Sequence, residues 1–372
     1  MGKFTRVLIA PSRYVQGRGA IEEIGEHVAL LGDRVLVIGG KTGLAVTREG
    51  RNKSFAEKGI TQVEELFGGE CCDSEINRLM EVARKERCNV IMASGGGKSI
   101  DTAKVVAGEL KLPTVIVPTI ASTDAPCSRL SVIYDEHGVF VRFYFPPRNP
   151  DLVLVDTEII AKSPARLLVA GMGDALATWF EADACSRSCA PNLPGGQQTA
   201  TAVAIARLCY EILLEYGLQA KIACEQQRVT PALEKVVEAN TLLSGIGFES
   251  GGLAAAHSMQ DGFTVLEEIH AFYHGEKVAF LTLVQLIMEE RPKEVLQEVY
   301  NFCHKVGLPT TLADLNIDKV GPERLMEAVR LSCLPGKIMY NHAFPISEEM
   351  VYDAVITADA MGKRVKAGLP IV

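Results

Sequence analysis

Positive charge is in deficit in this chain: 38 lysines and arginines face 46 aspartates and glutamates, a net charge of −8 at pH 7. That balance excludes non-specific binding to nucleic acid or to an anionic membrane, both of which need a basic face. Long apolar runs are missing too; no segment offers about 18 uninterrupted apolar residues, so no membrane span is expected. Residues 1–17 contain neither the apolar stretch nor the cleavage site of a secretory signal. The ten cysteines do not repeat a CxxC spacing: Cys71 and Cys72 are adjacent, and Cys185 and Cys189 stand four apart. A zinc ribbon and a disulfide scaffold are therefore excluded, and the thiols are expected to be reduced core residues of a cytoplasmic enzyme.

What is present is the composition of a soluble globular protein, 48% hydrophobic and 23% charged. A length of 372 residues exceeds one ordinary core, so two domains are expected. The first part alternates β-rich and amphipathic runs. Strands are expected at 34–38, 63–67, 89–93, 113–117 and 151–155, and helices at 47–58, at 74–86 with Ser74 as N-cap, and at 100–109. This rhythm predicts a parallel, doubly wound sheet. After about Ser163, helix-period stretches dominate: 165–186, 197–216, 228–244, 252–265, 276–290 and 292–306. The expected division is an α/β nucleotide-binding domain over 1–163 and an all-α, metal-binding and catalytic domain over 164–372.

Two glycine clusters follow expected strands. Gly95, Gly96 and Gly97 precede Lys98, Ser99, Ile100 and Asp101, at the opening of a helix. Glycines let a pyrophosphate approach the backbone, and a helix start offers free N–H groups and partial positive charge. Ser99 adds a hydroxyl donor and Lys98 a cation. The pattern is neither G-x-G-x-x-G nor a P-loop, and taken alone it reads equally as a tight turn. The second cluster, Gly39 and Gly40, ends the strand at 34–38, where parallel sheets bind their ligands. The loop 117–128 is dense in small hydroxyl residues and carries one carboxylate, Asp124, suited either to a polyol's hydroxyls or to capping a helix.

Three of the seven histidines, His257, His270 and His274, fall within 18 positions, and His270 and His274 are spaced to share a helix face. Ala271 follows His270, so there is no HExxH and no zincin. Two imidazoles and a carboxylate such as Asp174 form a ligand set that suits a divalent metal such as zinc and leaves a position open. Which two histidines take part stays open from spacing alone, and Asp174 in GMGDA reads equally as an N-cap.

The motifs FGGEC, GGGKSIDTAK, PTIASTDAPCSRLSVIY, GDALATWFEA, GFESGGLAAAH and YHGEKVAF stand in the order and spacing of the glycerol dehydrogenase branch of the iron-containing alcohol dehydrogenase superfamily, which the chain resembles nearly end to end. The resemblance implies a dehydroquinate synthase-like fold, with an α/β NAD-binding domain ahead of a helical one. It implies oxidation of glycerol and related vicinal diols to dihydroxyacetone and its analogues, with hydride transfer to NAD. It implies zinc held by Asp174, His257 and His274, with His270 nearby but not a ligand. NAD contacts fall, by the same resemblance, on Gly96, Gly97, Lys98, Ser99, Ile100 and Asp101, on Thr119, Ile120, Ala121 and Ser122, and on Ser128, Leu130 and Tyr134. Asp124 is implied to orient a small polyol substrate, and a homo-octamer is implied as the assembly.

Two positions depart from the pattern. Iron-dependent members carry a histidine four residues after the aspartate; Thr178 stands there, which favours zinc over iron. Glycerol dehydrogenases usually end the first strand with an aspartate that bonds the adenine ribose. Gly40 takes that place, followed by Lys41 and Thr42, so NADP becomes acceptable although NAD is the expected cofactor. Two other readings stay open. A relative of glycerol-1-phosphate dehydrogenase or dehydroquinate synthase needs a cationic pocket, and Lys277 is the one cation near His257 and His274. A non-catalytic nucleotide-binding relative would keep the fold alone.

Overall fold

The computed structural model describes residues 5–371. Two compact units are present. One comprises Ile9–Leu168 with Ile222–Gly245; the other comprises Val169–Lys221, the chain from Ile246 onward, and the segment ending at Leu8. The chain first leaves the sheet-bearing unit after Leu168, and residues 222–245 return to it, so the units do not follow a single cut at 163.

The first unit is built on a six-stranded sheet in which every pairing is parallel. Its strands are β1 (Tyr14–Gly17), β2 (Arg34–Gly39), β3 (Thr61–Leu66), β4 (Val90–Gly95), β5 (Thr114–Pro118) and β8 (Leu152–Asp156), in the order β1-β8-β5-β4-β2-β3. A separate antiparallel hairpin pairs β6 (Ser131–Tyr134) with β7 (Phe140–Tyr144). The central strands read as unbroken apolar runs because both of their faces are covered. On one face Val35, Val37, Val90, Met92, Val115 and Val117 pack with Ile24, Val28, Leu44 and Phe55. Neither β1 nor the hairpin was expected: β1 is only half-buried throughout, and Phe140, Val141 and Phe143 of β7 are exposed.

Helices that follow strands here include α1 (Lys41–Glu57), α2 (Asp73–Lys85) and α3 (Gly97–Leu110). The start of α1 lies well before the expected residue 47. Gly43 explains how: a Cβ there would stand 2.3 Å from the Ser94 carbonyl oxygen, so this first turn lies against β4 only because the residue is glycine. Cys72, not Ser74, is the N-cap of α2, and Ser74 sits inside the helix. The strand order reverses between β2 and β4. From β2 the chain passes through α1 to β3 on one side; from β4 it passes through α3 to β5 on the other. Ligands of such sheets bind beyond the strands' carboxyl ends at this reversal.

The second unit is helical, and no named strand lies in it among the described residues. Its site-bearing helices are α4 (Ala165–Ser188), whose first turn belongs to the sheet unit, α8 (Ala255–Phe263) and α9 (His274–Met288). Between them come α5 (Ala200–Glu225) and, in place of one helix over 228–244, α6 (Pro231–Glu238), a π-helical turn (Ala239–Leu243) and α7 (Ser244–Gly251). No helix among the described residues is long and apolar enough to cross a membrane. All ten cysteines are free thiols, and all but Cys189 are buried.

Candidate functional site

Asp174 lies in the middle of α4, so it caps no helix. His274 is the first residue of α9, a helix whose start is fixed by the Glu276 carboxylate accepting the Tyr273 N–H at 2.8 Å. The glycines beside these two residues bring them together. A Cβ on Gly275 would stand 1.8 Å from the Ala170 carbonyl oxygen, and one on Gly173 would stand 2.2 Å from that of Gly275. Here α4 and α9 touch backbone to backbone, an approach that any side chain would block. His257 joins them from the first turn of α8.

The resulting triangle is tight. His257 Nε2 lies 3.4 Å and His274 Nε2 3.2 Å from Asp174 Oδ1, and the two nitrogens are 3.4 Å apart. An ion with tetrahedral bonds of 2.0–2.1 Å has ligand–ligand edges of about 3.3–3.4 Å. The triangle therefore fits one face of a tetrahedral ligand set with a fourth corner left over, and these three residues form a group that could hold a metal ion. Burial acts to raise the Asp174 carboxyl, but His274 and His257 hold it far below the usual carboxylate range. Burial also acts to lower the His257 imidazole; Glu181 and Asp174 outweigh it and the net shift is upward.

His270 does not share a helix face with His274. It ends the short 3₁₀ turn Glu267–Ile269, ahead of α9, and its Nε2 meets the Thr264 carbonyl oxygen at 2.8 Å. Thr178, one turn past Asp174, is fully buried, with its methyl group in the space that a side chain on Gly247 would need. Sequence reasoning missed Glu181, a fully buried carboxylate whose Oε2 lies 2.6 Å from His257 Nδ1. The available signal was its spacing, seven residues after Asp174, which puts both carboxylates on one stripe of α4.

At the β2/β4 reversal a cavity of about 870 Å³ opens. Gly40, Gly96, Gly97, Lys98, Ser99, Thr119 and Ile120 line it, with Lys41 and Thr42 beside them. The other residues predicted to touch a nucleotide, Ile100, Asp101, Ala121, Ser122, Ser128, Leu130 and Tyr134, are not in its lining. Asp101 instead pairs with Lys104 at 2.9 Å and accepts the Val132 N–H at 3.0 Å. Burial pushes its carboxyl up, with Lys104 opposing. The buried Lys104 ammonium donates to the carbonyls of Ala125, Ser128 and Leu130, and so fixes the loop that follows β5. The Ser99 hydroxyl donates to the Gly96 carbonyl at 2.9 Å and Lys98 pairs with Glu70, so both polar groups expected to face a phosphate are engaged locally. Asp124 caps no helix; it accepts the Ser244 hydroxyl at 2.8 Å.

The family profile described as iron-containing alcohol dehydrogenase matches residues 11–157. A glycerol dehydrogenase of Thermotoga maritima is 53% identical over 356 residues, covering 95% of this chain and 97% of its own. The chain belongs to the glycerol dehydrogenase family. A glycerol dehydrogenase of Escherichia coli is 49% identical, with 96% of this chain and 98% of the relative covered. The crystal structure of glycerol dehydrogenase from Schizosaccharomyces pombe superposes with a TM-score of 0.93 at 36% identity, covering 98% of this chain and 94% of that one. Family membership places the chain among oxidoreductases, and its parallel-sheet and helical architecture is that of the glycerol dehydrogenase structures.

Proposed function

We propose that this protein is a zinc-dependent glycerol dehydrogenase, which oxidises glycerol and related vicinal diols with NAD as hydride acceptor. For glycerol the balance is glycerol plus NAD⁺ to dihydroxyacetone, NADH and a proton. The observation that carries this reading is the Asp174, His257 and His274 triangle, in a chain 53% identical to a protein named glycerol dehydrogenase. When bound, a divalent ion supplies Lewis acidity toward an alcohol oxygen, and the nicotinamide supplies the hydride acceptor.

The residues divide the remaining work. Asp174 would bring the one negative charge to a bound divalent ion, and the imidazoles of His257 and His274 would complete the three protein ligands. Zinc rather than iron is supported by Thr178, which offers no imidazole one turn along from Asp174. The cavity beside Gly96 and Gly97 suits a pyrophosphate at the start of α3, with Thr119 and Ile120 on its wall. Asp124, steadied by Ser244, orients a terminal hydroxyl of the diol. The nucleotide role falls to the sheet-bearing unit, the metal role to the helical unit, and the assembly is a cytoplasmic homo-octamer.

The test is steady-state reduction of NAD and of NADP by glycerol, with zinc-loaded and chelator-stripped protein. Turnover that follows zinc is expected, with NAD preferred and NADP accepted. His274→Ala should lose turnover through metal loss while NAD still binds. Absence of turnover with glycerol and simple diols by zinc-loaded protein would overturn the reading.

A further inference from the structure

We infer that Glu181 is a positioning residue for the metal centre: it sets the tautomer of His257 and thereby presents the Nε2 lone pair to the ion. The inference rests on reading the Asp174, His257 and His274 triangle as a metal site.

Glu181 is fully buried and both of its oxygens are engaged. Oε1 accepts the backbone N–H groups of Ala254 at 2.9 Å and His257 at 3.0 Å, and Oε2 faces His257 Nδ1 at 2.6 Å. Ala254 is the N-cap of α8 and has no side chain with which to cap it. Glu181 supplies that cap from α4, so one carboxylate fixes both the helix that carries His257 and the ring itself. A carboxylate that already accepts two N–H bonds offers the imidazole only an acceptor. Nδ1 must therefore carry the proton, and Nε2, the nitrogen 3.4 Å from Asp174 Oδ1, is left with its lone pair free for a ligand bond. Seven residues apart on α4, Asp174 and Glu181 grip the ring from its two ends. Their two negative charges also match those of a divalent ion, with neutral imidazoles making up the rest of the set.

Glu181→Gln separates the tautomer role from the capping role. Its amide oxygen can still accept the two backbone N–H groups, but its NH₂ would face Nδ1 and drive the ring to the Nε2–H tautomer, which cannot ligate. Zinc affinity, measured by competition with a chelator, is expected to fall about 10- to 100-fold. The melting temperature of the apo-protein and NAD affinity should stay near wild type, and excess zinc should restore turnover. Zinc affinity within twofold of wild type would overturn the inference. If the variant fails to fold, ¹⁵N shifts of His257 in zinc-loaded wild-type protein decide: a protonated Nδ1 with ligated Nε2 supports it, and a ligated Nδ1 overturns it. Wild-type protein that takes up no divalent ion would instead remove the metal reading itself, an outcome distinct from either of these.

Discussion

The Cβ of an aspartate introduced at position 40 would meet no neighbour, since nothing lies within 4 Å of it and the backbone φ of −68° suits any residue. Unlike Gly43, Gly40 has no packing reason to be glycine. Gly40→Asp should leave the melting temperature almost unchanged while sharply lowering kcat/KM with NADP relative to NAD. Two like charges about 4 Å apart repel by on the order of 1 to 4 kcal/mol, depending on exposure, which is the range expected against a 2′-phosphate. Equal loss with both cofactors would show that position 40 does not face the ribose. His342 gives a second prediction. Burial pushes its imidazole down to about 4, from the ordinary 6.5, so the folded protein keeps it neutral. Between these values the unfolded chain binds more protons, and the contribution of this group is complete above pH 6.5 and lost as pH falls toward 4. Urea unfolding at pH 7 and pH 5 should show wild type losing up to about 1.4 kcal/mol per pH unit more than His342→Gln. Parallel losses in both proteins would assign the slope to other groups.

At the scale of elements, the π-helical turn Ala239–Leu243 fastens the loop that follows β5. Asn240 is fully buried and its amide donates to the carbonyls of Ala121 and Leu168, both at 3.0 Å. Asn240→Ala would leave both carbonyls without that donor, at about 1–3 kcal/mol for each. A lower melting temperature with a raised KM for NAD and unchanged zinc affinity is expected; an unchanged KM would mean that the loop keeps its shape unaided. This turn also marks where the sequence stopped being legible. Five strands of the sheet fell within a residue or two of their places, and in four of them an apolar run leaves few alternatives. The stretch 228–244 has a good helical period, and nothing in that period announces a π-helical turn at Ala239–Leu243. His270 and His274 failed for a related reason: their spacing implied one helix, but Glu276 starts α9 at His274. Motifs singled out Asp174, His257 and His274 as a candidate metal triad, whereas the close glycine crossing and Glu181 beside His257 emerge only when α4, α8 and α9 are seen together.

At the scale of the whole molecule, the order of the chain matters as much as its folding. The sheet-bearing unit is assembled from two stretches, and the helical unit from three. Residues 222–245 lie far along the gene from the sheet, yet they carry Asn240 and Ser244, which hold Ala121 and Asp124. A single recombination event after residue 163 or 168 would therefore transplant the sheet without the segment that holds the loop after β5. Exchange of this unit as an evolutionary module needs coordinated breakpoints at both of its stretches, so the two units are bound to a shared inheritance.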